Sequence, residues 1–196
     1  MASLARKGPL EGRAPWQGEG LRLAGSDLLS CFLLRGRPDE AMQQRMASLL
    51  GCRLPGTPIV IEHGKGAQVL MLAPCRWMIF ASREASPALP HHLQEILAGS
   101  FVAVSDASDG YVHITVEGPR AIDLLAAGTA VDLYPGRFRT GHAAQTEMAR
   151  IRCLIRRDGE TAYSVLADVS AADYLWTWLT TNAELTIATL GNSGAS

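Results

Sequence analysis

The feature that most narrows the choice of fold is a pair of short runs, residues 153–157 and 163–167, on either side of Asp158-Gly159. Both runs are rich in β-forming residues, and Asp-Gly readily takes the positive φ angles of a tight turn, so the segment reads as an antiparallel β-hairpin. The same punctuation recurs along the chain. Strands are expected at 58–62 and 67–72 around His63-Gly64-Lys65-Gly66, and a further one at 76–81. Others are expected at 101–106 and 111–117 around Asp109-Gly110, and at 144–150. Residues 20–35 read as extended, with a turn near Gly25-Ser26-Asp27.

Helices alternate with these strands. Pro38 suits a first helical turn, Asp39 and Glu40 suit its positive end, and Met42, Met46, Leu49 and Leu50 recur at helical spacing before Gly51. A second helix starts near Pro87, because Pro90 is tolerated only where its missing N–H would have had no intrahelical acceptor; its apolar face is Leu89, Leu93, Ile96 and Leu97. A short third helix follows Pro119 with Ile122 and Leu125 inward and Gly128 as its stop. A last helix opens at Ser170 and Asp173 and carries Tyr174, Leu175, Trp178 and Leu179. Hairpins mixed with helices imply an α+β fold of mainly antiparallel sheets, each covered by helices on one face. Residues 1–19, with Gly8, Pro9, Gly12, Pro15 and Gly18, read as a flexible arm, residues 20–190 as the folded part, and residues 191–196 as a polar tail.

At 196 residues the chain suits one sizeable core or one fold of two lobes. Its net charge of -1 creates no field that would draw in nucleic acid or an anionic bilayer, so neither is an expected partner. With 47% hydrophobic and 19% charged residues it is somewhat apolar for a monomer, in keeping with surface that meets a partner. Cys31, Cys52, Cys75 and Cys153 are far apart, and three of them lie in or beside apolar runs, which fits a reduced, cytoplasmic setting. Arg6 and Lys7 are followed by no apolar run, so neither a signal peptide nor an anchor is expected, nor a membrane span elsewhere.

No catalytic constellation emerges. His63, His91, His92, His113 and His142 lack metal-ligand spacing, no Gly-x-Ser-x-Gly elbow is present, and His63-Gly64-Lys65-Gly66 lacks the strand-to-helix context of a phosphate loop. His113 alternates with Val112 and Ile114 and is expected on a solvated or partner-facing side of its strand. No catalytic, cofactor or metal residue is therefore assigned. Contact residues are a different matter, since aromatic and Arg side chains cover area at low entropic cost and donate fixed forks of hydrogen bonds. The interface candidates are Trp16 in the arm, Arg76 and Trp77 after Pro74, Tyr134, Arg137, Phe138 and Arg139 in the irregular segment 129–141, and Trp176. Trp176 and Trp178 are two apart on a helix and cannot share a face, so with Trp178 inward Trp176 is expected to meet another surface.

Five short motifs occur in a fixed order: Val104-Ser105-Asp106, Glu117-Gly118-Pro119-Arg120-Ala121, Asp132-Leu133-Tyr134-Pro135, Ala144-Gln145-Thr146 and Asp173-Tyr174-Leu175-Trp176. Together they resemble the gamma subunit of heterotetrameric sarcosine oxidase. The Glu117-Gly118-Pro119 turn into a helix is similar to the signature of the aminomethyltransferase folate-binding fold, so the resemblance implies a two-lobed fold of that superfamily. It also implies a non-catalytic subunit that assembles with alpha, beta and delta chains in a complex that oxidatively demethylates sarcosine to glycine. In that complex FAD and FMN belong to beta, NAD and tetrahydrofolate to alpha, zinc to delta, and no cofactor to gamma. The chain departs from the family at Ala73-Pro74-Cys75-Arg76-Trp77-Met78, where the family tends to carry an acidic pair in place of Cys75 and Arg76. A contact that used those acids would reverse in sign, leaving room for a related demethylase such as N-methylglutamate dehydrogenase. A free-standing folate-binding protein of the same superfamily is the other alternative.

Overall fold

The computed structural model describes residues 8–26, 29–82 and 87–193. In chain order the strands and helices are β1 (Trp16–Gly18), β2 (Leu21–Gly25), β3 (Leu29–Arg35), α1 (Glu40–Leu50), β4 (Ile61–His63), β5 (Ala67–Ala73), β6 (Arg76–Ser82) and α2 (Leu89–Leu97). They continue as β7 (Ala103–Asp106), β8 (Tyr111–Glu117), α3 (Ala121–Ala126), β9 (Ala143–Met148), β10 (Ile151–Arg157), β11 (Ala162–Asp168) and α4 (Ala172–Ser193). The chain divides into two compact units, one of Met1–Asp27, Asp109–Thr140 and Ala144–Ser196, the other of Leu28–Ser108 and Gly141–Ala143.

The first unit is built on a six-stranded sheet in the order β1-β2-β8-β11-β10-β9. The period of two along each strand decides its core face. Val112, Ile114 and Val116 of β8 stand opposite Ala167, Val165 and Tyr163 of β11, and Val165 in turn faces Ile155 of β10. These side chains form one cluster with Ala121, Leu124 and Leu125 of α3 and with Ala172, Leu175, Trp176, Leu179 and Ala183 of α4. Each fully buried aliphatic side chain there contributes about 1.5–3 kcal/mol relative to exposure. The turn Glu117-Gly118-Pro119 joins β8 to α3. Gly118 has φ of 118°, donates to the Thr161 carbonyl at 2.9 Å, and lies so close to the Gly20 carbonyl that a Cβ would collide with it. Only glycine suits that turn.

The second unit carries a five-stranded sheet in the order β4-β5-β6-β3-β7. Its helix α1 begins where the Asp39 side chain accepts the Met42 N–H at 2.8 Å and ends at Gly51 in the left-handed region. Pro90 falls in the first turn of α2, the position that tolerates it. Met42, Met46 and Leu50 of α1 and Leu89, Leu93 and Leu97 of α2 pack with Phe32, Leu34, Val69, Trp77 and Ile79 of the sheet. Antiparallel pairing with helices against one face of each sheet makes the fold α+β, as the alternation of hairpins and helices implies.

Three expectations are corrected. The arm does not extend to residue 19, because Trp16–Gly18 pairs with Leu21–Leu23 as edge strand β1 and Leu10 is buried in the core. The polar tail does not begin at residue 191, because helix α4 continues through Ser193. Strands β7 and β8, adjacent in sequence around Asp109-Gly110, belong to different sheets, β7 pairing with β3 and β8 with β2 and β11. Residues 1–7, which include Arg6 and Lys7, and Ser86 lie outside the described residues.

Candidate docking surfaces

The connection from α3 to β9 holds half of the sequence-derived contact residues and is tied down from beneath. Tyr134 opens a turn in which its carbonyl accepts the N–H groups of Arg137 and Phe138, each at 2.8 Å, while Asp132 accepts the Tyr134 N–H at 3.0 Å. Phe138 is buried in the core of the first unit, and Leu133 is buried beside it. Arg157 holds this arrangement. Its guanidinium donates to the carbonyls of Phe138 at 2.6 Å, Gly159 at 3.1 Å and Glu160 at 2.7 Å, and lies 5.6 Å from the centre of the Tyr163 ring. A buried cation without a carboxylate is thereby satisfied by carbonyl dipoles and a π face. With Phe138 pulled inward, Tyr134, Arg137 and Arg139 are left on the surface, Tyr134 at 69% exposure. Among the described residues no ion pair is formed by Arg137 or Arg139.

The opposite alternation of the same sheet carries a polar cluster. Arg156 donates to Asp158 at 2.9 Å, and the Ser164 hydroxyl donates to the other oxygen of the same carboxylate. His113, across β8, is buried at both ring nitrogens, neither of which has a hydrogen-bond partner among the described residues. Burial, with the Arg156 charge adding to it and Asp158 opposing, pushes its pKa down to about 4. The ring is therefore a neutral group on the face of β8 opposite Val112 and Ile114, as alternation implies, but with its nitrogens shielded rather than solvated.

Cys31 and Cys153 are buried thiols, and burial pushes Cys153 up to about 11. His91 pairs with Glu95 one turn along α2, and the His63 ring stands 3.4 Å from the Gln68 amide. Among the described residues no group of three or more His, Cys, Asp or Glu side chains is arranged to hold a metal ion.

The contact candidates separate into two sets. Arg76, Tyr134, Arg137 and Arg139 are exposed. Trp77 is buried and donates from its indole to the Pro55 carbonyl at 2.8 Å; Phe138 and Trp176 are buried in the core of the first unit. Trp16 packs against that same core, over Gly18 and toward Ile187 of α4. Trp77, Phe138 and Trp176 are corrected from contact groups to packing groups, while Trp16 is half-buried. The reason for Trp176 is that Ala172, Leu175, Leu179 and Ala183 form a stripe centred closer to it than to Trp178, which is only half-buried. Sequence reasoning passed over Phe101, which is fully exposed, because it was read as part of a strand; its Gly-Ser flank was the available signal.

Two helix-covered antiparallel sheets define a class, the aminomethyltransferase-like α+β fold. The glycine cleavage system aminomethyltransferase T of Bartonella henselae superposes on 80% of this chain and 44% of its own with a TM-score of 0.60, at 16% identity, a likeness of fold alone. The sarcosine oxidase, gamma subunit family matches residues 35–184, and the chain belongs to that family. The sarcosine oxidase subunit gamma of Corynebacterium sp. (strain U-96) is 31% identical over 147 residues, which cover 74% of this chain and 71% of that protein. A chain in the solved heterotetrameric sarcosine oxidase from Corynebacterium sp. U-96, in complex with pyrrole 2-carboxylate, matches with a TM-score of 0.84 at 26% identity, over 92% of this chain and 96% of that one.

Proposed function

We propose that this chain is a non-catalytic subunit of a sarcosine oxidase-type heterotetramer, and that its role is assembly and stabilisation of the complex. The observation that carries this reading is the near end-to-end match to a chain of a heterotetrameric sarcosine oxidase. Its partners are alpha-, beta- and delta-like chains, which bring the FAD, FMN, NAD, tetrahydrofolate and zinc of the complex, while this chain brings contact area. Exposed Arg76, Tyr134, Arg137 and Arg139 are the contact groups this reading retains. The described helices include none long and apolar enough to cross a membrane, and the reading places the complex in the cytoplasm.

The test uses the purified chain alone. Titration calorimetry with tetrahydrofolate should show no binding at roughly micromolar concentrations, and the visible spectrum should lack flavin bands. Tight folate binding by the isolated chain would favour a free-standing folate-binding protein, and a stoichiometric flavin would contradict the accessory role outright.

A further inference from the structure

One end of the five-stranded sheet in the second unit gathers positive charge that nothing described in the chain balances. Arg35 at the end of β3 stands directly opposite Arg76 at the start of β6. Cross-strand partners point to the same face with Cβ atoms about 5 Å apart, and like charges placed so repel each other. Arg37 adds a third guanidinium two residues on. All three are exposed, and none forms a side-chain hydrogen bond or ion pair among the described residues. The acids nearest in sequence are engaged elsewhere: the Asp39 side chain caps α1 and Glu40 pairs with Arg53 at 2.9 Å.

Gly36 joins the segments of this cluster and lies against the backbone of Phe101. Its N–H donates to the Cys75 carbonyl at 3.0 Å, which sets Arg35-Gly36-Arg37 beside Cys75-Arg76. A Cβ on Gly36 would stand 2.6 Å from the Phe101 carbonyl oxygen, so the backbone of Phe101 passes directly over the same glycine. Phe101 is the most exposed large apolar side chain described. A net charge of -1 for the chain means that this concentration of positive charge is local, not part of a general basic surface.

We infer that Arg35, Arg37, Arg76 and Phe101 form a docking surface for an acidic segment of a partner subunit, with carboxylates set around an apolar recess that takes the Phe101 ring. The repulsion between Arg35 and Arg76 is a cost in the lone chain that paired carboxylates would relieve, and Arg forks suit carboxylates bidentately. A desolvated aromatic flanked by charge pairs is the composition in which a few residues carry most of the binding energy. This inference rests on the accessory-subunit reading and adds to it the place and the sign of one contact.

The experiment co-expresses this chain with the other chains of its complex and measures affinity for the purified partner assembly as a function of salt. Arg35→Glu/Arg76→Glu should weaken binding on the order of a hundredfold at low salt, since a like-charge juxtaposition replaces an attraction, and should flatten the salt dependence. Phe101→Ser should weaken it with the salt dependence retained. Circular dichroism of each variant checks folding, and Arg150→Glu/Arg152→Glu, at exposed positions of the other unit to which no contact role is given, serves as a charge-matched control. If the wild-type chain fails to join the partners, the accessory-subunit reading falls. If it joins them and the Arg35/Arg76 reversal binds with unchanged affinity and salt dependence, the docking surface is wrong and that reading stands. Weakening by short anionic nucleic acid competitors, with no loss on reversing the partner's acids, would likewise overturn the acidic-protein assignment.

Discussion

Arg156 and Arg157 are adjacent in sequence and do unrelated work. Alternation sends Arg156 to Asp158 on one face and Arg157 to carbonyl oxygens on the other, including that of Phe138, nineteen residues away. Nothing in the sequence distinguishes the pair, because the acceptors that separate them are backbone groups present at every position. The same limit hid the inward turn of Phe138, whereas the exposure of Arg137 and Arg139 was legible from a polar, glycine-containing loop. His113 gives this scale its prediction. Its folded pKa of about 4 lies below the ordinary histidine value, so the unfolded chain takes up a proton that the native chain refuses. Above pH 6.5 the group contributes no such penalty; stability falls as pH drops from 6.5 toward 4 and is flat below that. By pH 5 the loss should be about 2 kcal/mol. Urea denaturation at pH 7 and pH 5 should show this fall in the wild type and a smaller one in His113→Leu; equal falls would remove His113 as its source.

At the scale of elements, α1 was readable because caps and apolar spacing agree, and α2 because its apolar spacing agrees with a proline confined to the first turn. Asp39, Gly51 and Pro90 each occupy a position that admits few other conformations. The last helix was recognised with the wrong face. Its stripe is completed by Ala172 and Ala183, small residues that carry little weight in an apolar pattern but let the helix approach the sheet closely. Strands β7 and β8 were placed correctly along the chain and paired wrongly, since a turn signal reports a change of direction and not which sheet receives the next strand. Gly128, just beyond α3, now acquires a role beyond stopping a helix. A Cβ there would stand 2.5 Å from the Trp178 ring and 2.9 Å from Cγ of the buried Met148. Gly128→Ala should therefore cost about 1–3 kcal/mol by overpacking. Pairing it with Trp178→Leu should recover much of the loss in thermal unfolding; a neutral or stabilising single mutant would contradict the packing described.

For the whole molecule, family and fold were legible from five motifs in order, several of which mark real constraints. Glu117-Gly118-Pro119 is a turn that a Cβ would block, and Asp132 and Tyr134 form the turn that presents the arginine-bearing loop. What the chain does by contact was less legible, because a docking surface depends on residues brought together from distant positions. Arg35, Arg76 and Phe101 come from three separate segments and converge only through the pairing of β3 with β6 and the passage of Phe101 over Gly36. The most direct test of the central claim is light scattering coupled to size-exclusion chromatography on the co-expressed chains, with and without this one. The account predicts a single species containing this chain in equimolar ratio with the flavin-bearing chain, and a smaller or aggregated species when it is omitted. An intact, fully active flavoprotein assembly from which this chain elutes separately would contradict it.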